Sequence, residues 1–303
     1  MRDLRNYSTR EWFRIKPLDH FMIQVCNDIL QSVFCKVRPK SLKQFLHNAE
    51  PIAGQKDVWL VIAYEQPWAL DWLLRMAARH LTDGILLVFD NSRRPQARID
   101  IELICRNRGV PYLALPPSPT RHANRSHGMA MTWVFRNVVQ AVRPRTFCFI
   151  DHDLIPMEKI ERCAVLENQP FYGALNIGKF GGKLGWNLWA GYCAYEFSAV
   201  HHLPLNFLND FSRDLDTGGR NWQILYKNFD RTKLRFATRL NREFINPPHS
   251  TVQVVDNRWI HLGGAGYSRK YRDQFDFYQR MAKATDEGAT LQMLSIQDNS
   301  EVP

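Results

Sequence analysis

Thr146-Phe-Cys-Phe-Ile-Asp151-His-Asp153 is a short apolar run that leads straight into two carboxylates. A run of this kind reads as a strand buried on both faces, and the acids mark the point where the chain leaves the sheet. Three similar runs precede it: Val58 to Tyr64, Ile85 to Asp90, and Pro111 to Leu115. Helical patterns fill the gaps at Trp68 to His80, Ala97 to Asn107 and His127 to Val142, with Gly84 and Gly109 where helix ends are expected. Strands alternating with helices of this length predict right-handed βαβ units. The expected fold is α/β, a mostly parallel central sheet with helices on both faces.

Outward from this block the regularity changes. Apolar residues at Leu18, Phe21, Met22, Val25, Ile29, Leu30, Val33 and Phe34 have the spacing of an amphipathic helix, and Pro39, Pro51 and Gly54 punctuate the stretch after it. Residues 1–53 are therefore expected to be an N-terminal helical extension, packed on the main domain or presented to a membrane surface or a partner helix. The main domain is expected over 54–285. Beyond Asp153 the chain turns to Gly-, Trp- and Tyr-rich sequence, with a helical stretch expected near Gly218 to Tyr226. Residues 286–303 are polar enough to form a loose tail.

Composition excludes several classes. With 303 residues, 45% apolar, the chain can bury a large core and is not disordered. Its longest apolar run is far shorter than the ~20 residues of a membrane-spanning helix. The N-terminus shows no secretory h-region, so a cytoplasmic protein is expected, either free or peripheral on the inner face of the membrane. The six cysteines are scattered, as reduced thiols would be. A net charge of +10 favours polyanionic neighbours, and Arg220 to Arg242 holds seven Lys/Arg against one Asp. That run suits a solvated helical face or a phosphate or membrane contact.

In open α/β sheets ligands collect at the carboxyl ends of strands, and here those ends are acidic: Asp90-Asn91 after the second run, Asp151-His152-Asp153 after the fourth. Two carboxylates two residues apart on a bend can turn toward one cation, and hard oxygen ligands suit Mn²⁺ or Mg²⁺. The same acids could instead cap a helix near Met157.

With its neighbours, this pattern resembles the GT-A nucleotide-sugar glycosyltransferases, most closely the family 2 type, over about residues 57–267. The matching motifs are Val-Ile-Ala-Tyr64, Val-Phe-Asp90-Asn91-Ser92, Gly128-Met-Ala-Met-Thr-Trp-Val-Phe-Arg-Asn137 and Phe149-Ile-Asp151-His-Asp153, in that order. The resemblance implies a GT-A fold and transfer of a sugar from a nucleoside-diphosphate sugar, such as a UDP-sugar, to a hydroxyl acceptor. A cell-surface glycan or lipid-linked saccharide would serve as acceptor, and the expected outcome is inversion. It implies that Tyr64, Asp90 and Asn91 meet the nucleotide, Asp90 at the base. Asp151 would meet the ribose or the metal, and Asp153 with His261 of Trp259-Ile-His261-Leu-Gly-Gly would complete the metal site. The base would come from Asp214 or Asp216 in Asn209-Asp210-Phe-Ser-Arg-Asp214-Leu-Asp216, with Asp216 nearer the helix entry. Asp216 could equally be only its N-cap. Trp186, Trp189 and Tyr192 follow a glycine-rich loop and would stack on sugar, unless they are core aromatics. A catalytically inactive scaffold of the same fold, binding nucleic acid or anionic membrane through its basic surface, is the alternative. The motifs of dinucleotide and P-loop enzymes are missing, and the place of the Asp-x-Asp element on the fourth strand argues against a haloacid-dehalogenase-like phosphatase.

Overall fold

The computed structural model describes residues 8–9, 16–49, 56–160, 166, 169–178, 185–244, 250–263 and 275–294. The glycine-rich loop 179–184, the expected boundary near 53 and the tail from 295 lie outside these residues.

Strand β1 (Asp57–Ala63) is the centre of the molecule, and all seven of its residues are buried. Val58, Leu60 and Ile62 join one core layer with Phe89, Met129 and Trp133. Trp59, Val61 and Ala63 join the other, with Leu70, Trp72 and Val88. This two-sided burial is why the run is apolar from Val58 to Ala63 instead of alternating. β1 pairs in parallel with β2 (Ile85–Asp90) on one side and β4 (Thr146–Asp151) on the other, and β2 pairs in parallel with β3 (Tyr112–Ala114). The predicted α/β architecture is thus present, with helices at Pro67–His80, Pro95–Asn107 and Ala123–Val134. The last continues through a π turn, Phe135–Val139, to Val142. Gly109, at φ 65, stands just past a helix end, whereas Gly84 lies beyond the Leu81 cap, in the turn that enters β2.

β5 is Leu154–Pro156, β6 Phe171–Ile177 and β7 Trp186–Glu196. The six-stranded sheet runs β3-β2-β1-β4-β7-β6, with β7 antiparallel to both neighbours. A second, antiparallel sheet consists of β5, β8 (Arg239–Phe244), β9 (Ser250–Val255) and β10 (Trp259–His261) in the order β5-β10-β9-β8.

Two expectations are corrected. The basic stretch from Arg220 is not one helical face: a four-residue helix, Asn221–Ile224, gives way to 3₁₀ turns and then to β8. The segment beyond 286 is docked as far as a short helix, Leu291–Leu294, whose two leucines are buried. The expected N-terminal helix, α1 (Lys16–Lys36), is present and packs on the main domain through its polar side. Gln31 is buried and donates to Thr132 Oγ1 (2.9 Å) and Asn206 Oδ1 (3.2 Å), and buried Asn27 lies against Arg125. Phe21, Met22, Val25, Ile29 and Val33 face outward.

Candidate active site

The order of the sheet reverses at β1 and β4, and ligands gather outside the carboxyl ends of strands at such a switch point. Asp151 is the last residue of β4, in register with Ile62. Asp153 comes one turn residue later, and β5 begins at once. β5 pairs with β10 so that Leu154 faces His261, while the Leu262 N–H donates to the Asp153 carbonyl at 3.1 Å. This pairing places an imidazole from far down the chain beside the two acids.

His261 Nε2 stands 3.6 Å from Asp153 Oδ1 and 3.9 Å from Asp151 Oδ2. Its Nδ1 lies 2.9 Å from Oε1 of Gln253, its cross-strand partner on β9. An amide oxygen only accepts, so Nδ1 donates this bond and Nε2 is the nitrogen turned toward the carboxylates. One ligand atom from each of Asp151, Asp153 and His261 lies within 4.8 Å of the other two. Two carboxylates and an imidazole nitrogen converging on one point form a donor set that fits Mn²⁺ or Mg²⁺. Burial, and then the charge of Asp153, push the Asp151 carboxyl up to about 6. Gly191 on β7 leaves the space this carboxylate occupies, because a Cβ there would overlap Asp151 and Trp189.

The triad lines a cleft of about 900 Å³, counting its open mouth, together with Tyr64, Asn91, Asn124, His127, Trp189 and Asp216. Asp216 Oδ1 accepts from Asn209 Nδ2 (2.7 Å) and Asn124 Nδ2 (2.9 Å), and Oδ2 takes no hydrogen bond from the described residues. The short helix at Asn221 has no side-chain cap, so Asp216 is not an N-cap. Asp214 sits at φ 53 in the preceding turn, which the Asp210–Leu215 bridge closes, and does not line the cleft.

Other expected residues lie elsewhere. Asp90 is wholly buried. Its Oδ2 accepts from the Tyr112 hydroxyl (2.9 Å) and its Oδ1 from the Ser92 N–H (2.8 Å), so the strand end turns it inward, away from the cleft. Its neighbour Asn91 does line the cleft, with Nδ2 donating to Ser126 Oγ and Oδ1 without a partner among the described residues. Trp186 is buried among Phe171, Trp222, Tyr226 and Phe236, and Tyr192 is buried between Tyr172 and Trp259. Neither reaches the cleft. Trp189, three positions from Trp186 on the strand, leaves by the opposite face. Its ring centre lies 4.6 Å from that of His261, and the Arg239 guanidinium stands 5.4 Å over it.

Sequence reasoning missed Asn124, His127, Asn209 and Gln253. His127 Nε2 lies 3.4 Å from Asp151 Oδ1, and burial pulls its imidazole down to about 4, so it is neutral at pH 7. Asn124 and His127 are three apart at the start of the helix after β3, a spacing that sets both on one helix face and was readable in the chain.

No protein-family model matches the sequence, and no curated protein matches it. Among solved structures, the chain is similar to glucosyl-3-phosphoglycerate synthase from Mycobacterium tuberculosis in complex with phosphoglyceric acid. The identity is 17% and the TM-score 0.33, over 54% of this chain and 63% of that one. A complex of that enzyme with Mn²⁺ and uridine-diphosphate-glucose gives 18% and 0.33, over 54% and 62%. The chain thus spans less than two thirds of the length of these neighbours.

Proposed function

We propose that the protein is a metal-dependent glycosyltransferase of the GT-A type that moves a sugar from a nucleoside-diphosphate sugar, most simply a UDP-sugar, to a hydroxyl acceptor with inversion. The transferase unit is assigned to 54–285. The observation that supports this reading best is the convergence of Asp151, Asp153 and His261 at the switch point, with Asp216 held in the same cleft.

Each residue has a task in this reading. Asp151, Asp153 and His261 would hold the divalent cation, which neutralises charge gathering on the departing diphosphate. Asn91 Oδ1 and Tyr64 offer contacts to the nucleoside, in place of the buried Asp90. Trp189 offers an aromatic face to the sugar. Asp216 accepts the proton of the acceptor hydroxyl through Oδ2 while two asparagine amides fix Oδ1, which orients the base before substrate arrives. Neutral His127 fills the space beside Asp151 without adding a competing positive charge.

The test is a panel of nucleotide sugars with Mn²⁺, scored for release of nucleoside diphosphate and for ligand-induced thermal stabilisation. The anomeric configuration of the product, read by NMR, tests inversion. Stabilisation by no nucleotide sugar, with or without metal, would sink the reading and leave the inactive scaffold in its place.

A further inference from the structure

Helix α1 is amphipathic, but it is mounted inside out. Buried Asn27 and Gln31 face the protein, and Gln24 donates to Asp210 Oδ1 at 3.3 Å. The apolar residues face away: Phe21 is 61% exposed, Ile29 60% and Val33 60%, and Leu18, Met22 and Val25 are exposed beside them. From Leu18 to Val33 the stripe is about 22 Å long, and with Ile23 and Leu30, also exposed, it covers about half the helix circumference at 100° per residue.

The shape and charge of this face select its partner. A helix-pair seam keeps a 3.5-residue repeat, and extending Leu18, Met22, Val25 and Ile29 in that repeat lands on Ser32 and Lys36. The apolar arc instead keeps the helix's own period and reaches Val33, giving a broad face and not a narrow seam. Lys36, Arg38, Lys40 and Lys43 are all exposed where the helix ends and the next begins. Within residues 16–49 the only carboxylates are Asp19 and Asp28, and Asp28 is ion-paired with Arg220. A broad apolar face flanked by basic residues suits a flat, negatively charged, greasy surface.

We propose that α1 lies in the plane of an anionic bilayer surface, with the Phe21, Ile29 and Val33 face immersed at the boundary of headgroups and acyl chains and Lys36, Lys40 and Lys43 against the lipid phosphates. The same helix touches Asp210 and Arg220, on the segment that carries Asn209 and Asp216, so the bilayer would lie beside the acceptor side of the cleft. Membrane docking stands whether or not the transfer reaction does.

The test uses the full chain and vesicles of phosphatidylcholine alone or mixed with phosphatidylglycerol. The chain should co-sediment with the mixed vesicles at low salt and release as salt rises. Combined Phe21→Glu and Ile29→Glu substitutions should weaken binding more than tenfold. Combined Lys36→Gln, Lys40→Gln and Lys43→Gln should weaken it roughly a hundredfold. All these side chains are exposed, so melting temperatures should match the wild type. Absence of co-sedimentation at low ionic strength, or equal binding by the glutamate variant, would overturn the proposal. So would a dimer in light scattering that the glutamate variant disperses, because the face would then belong to a second copy.

Discussion

Gln253 Oε1 meets His261 Nδ1 at 2.9 Å across the β9–β10 pair, and this one hydrogen bond decides which imidazole nitrogen faces Asp151 and Asp153. Acting through the imidazole, Gln253 sets the tautomer and the ring angle on which the triad depends.

Gln253→Leu should therefore lower Mn²⁺ affinity about 10- to 100-fold, as loss of an outer-shell partner does elsewhere. His261→Ala should cost more. Titration calorimetry with the metal alone checks both, and an unchanged affinity in Gln253→Leu would show that the imidazole is oriented by something else.

Asp216→Asn keeps an oxygen for Asn124 and Asn209 but removes the base. Turnover should fall about 10²- to 10⁴-fold with donor affinity nearly unchanged, whereas Asp214→Asn should be mild. Steady-state kinetics beside donor-binding measurements separate the two; near-normal transfer by folded Asp216→Asn would refute the assignment.

Asp90→Ala strands the Tyr112 hydroxyl and the Ser92 N–H in the core, so its effect should fall on stability, about 1 to 3 kcal/mol for each group left unpaired. Denaturant unfolding measures it. A variant of normal stability that had lost nucleotide affinity would put Asp90 back at the base.

Burial, and then the neighbouring charge of Asp153, push the Asp151 carboxyl from its ordinary value of 3.8 up to about 6. Because the folded value is raised, this group favours the fold when protonated, and that contribution is lost as pH rises from about 4 through 6. Cation binding needs the carboxylate, so metal affinity should fall as pH drops through 6, with a proton released on binding. Calorimetry in buffers of different ionisation enthalpy counts that proton; none released at pH 5.5 would contradict the raised value.

Burial governs how much of the molecule was legible in the sequence. β1, β2 and β4 were readable because each holds an unbroken apolar run, and Asp151 and Asp153 because they sit where such a run stops. The antiparallel strands were not, since the β4–β7 and β5–β10 pairings join residues distant in sequence and β8 is mostly polar along its length. The periodicity of α1 gave its helix but not its orientation: a stripe records that one face is apolar, and only tertiary contacts such as Gln31 to Thr132 say which way it points. Trp186, Trp189 and Tyr192 looked alike as composition. Strand alternation separates Trp189 from Trp186, and only packing against Trp259 removes Tyr192 from the cleft.

The β5–β10 pairing also bears on how the protein is made. Asp153 and His261 lie more than a hundred residues apart, and only the register of Leu154 with His261 joins them. A chain leaving the ribosome holds both carboxylates long before the imidazole, so nascent fragments that end ahead of the second sheet should form much of the core and still fail to retain the cation tightly. Tight metal retention would then report the completion of synthesis and the correct strand register together, because a slip of one residue turns His261 to the other face.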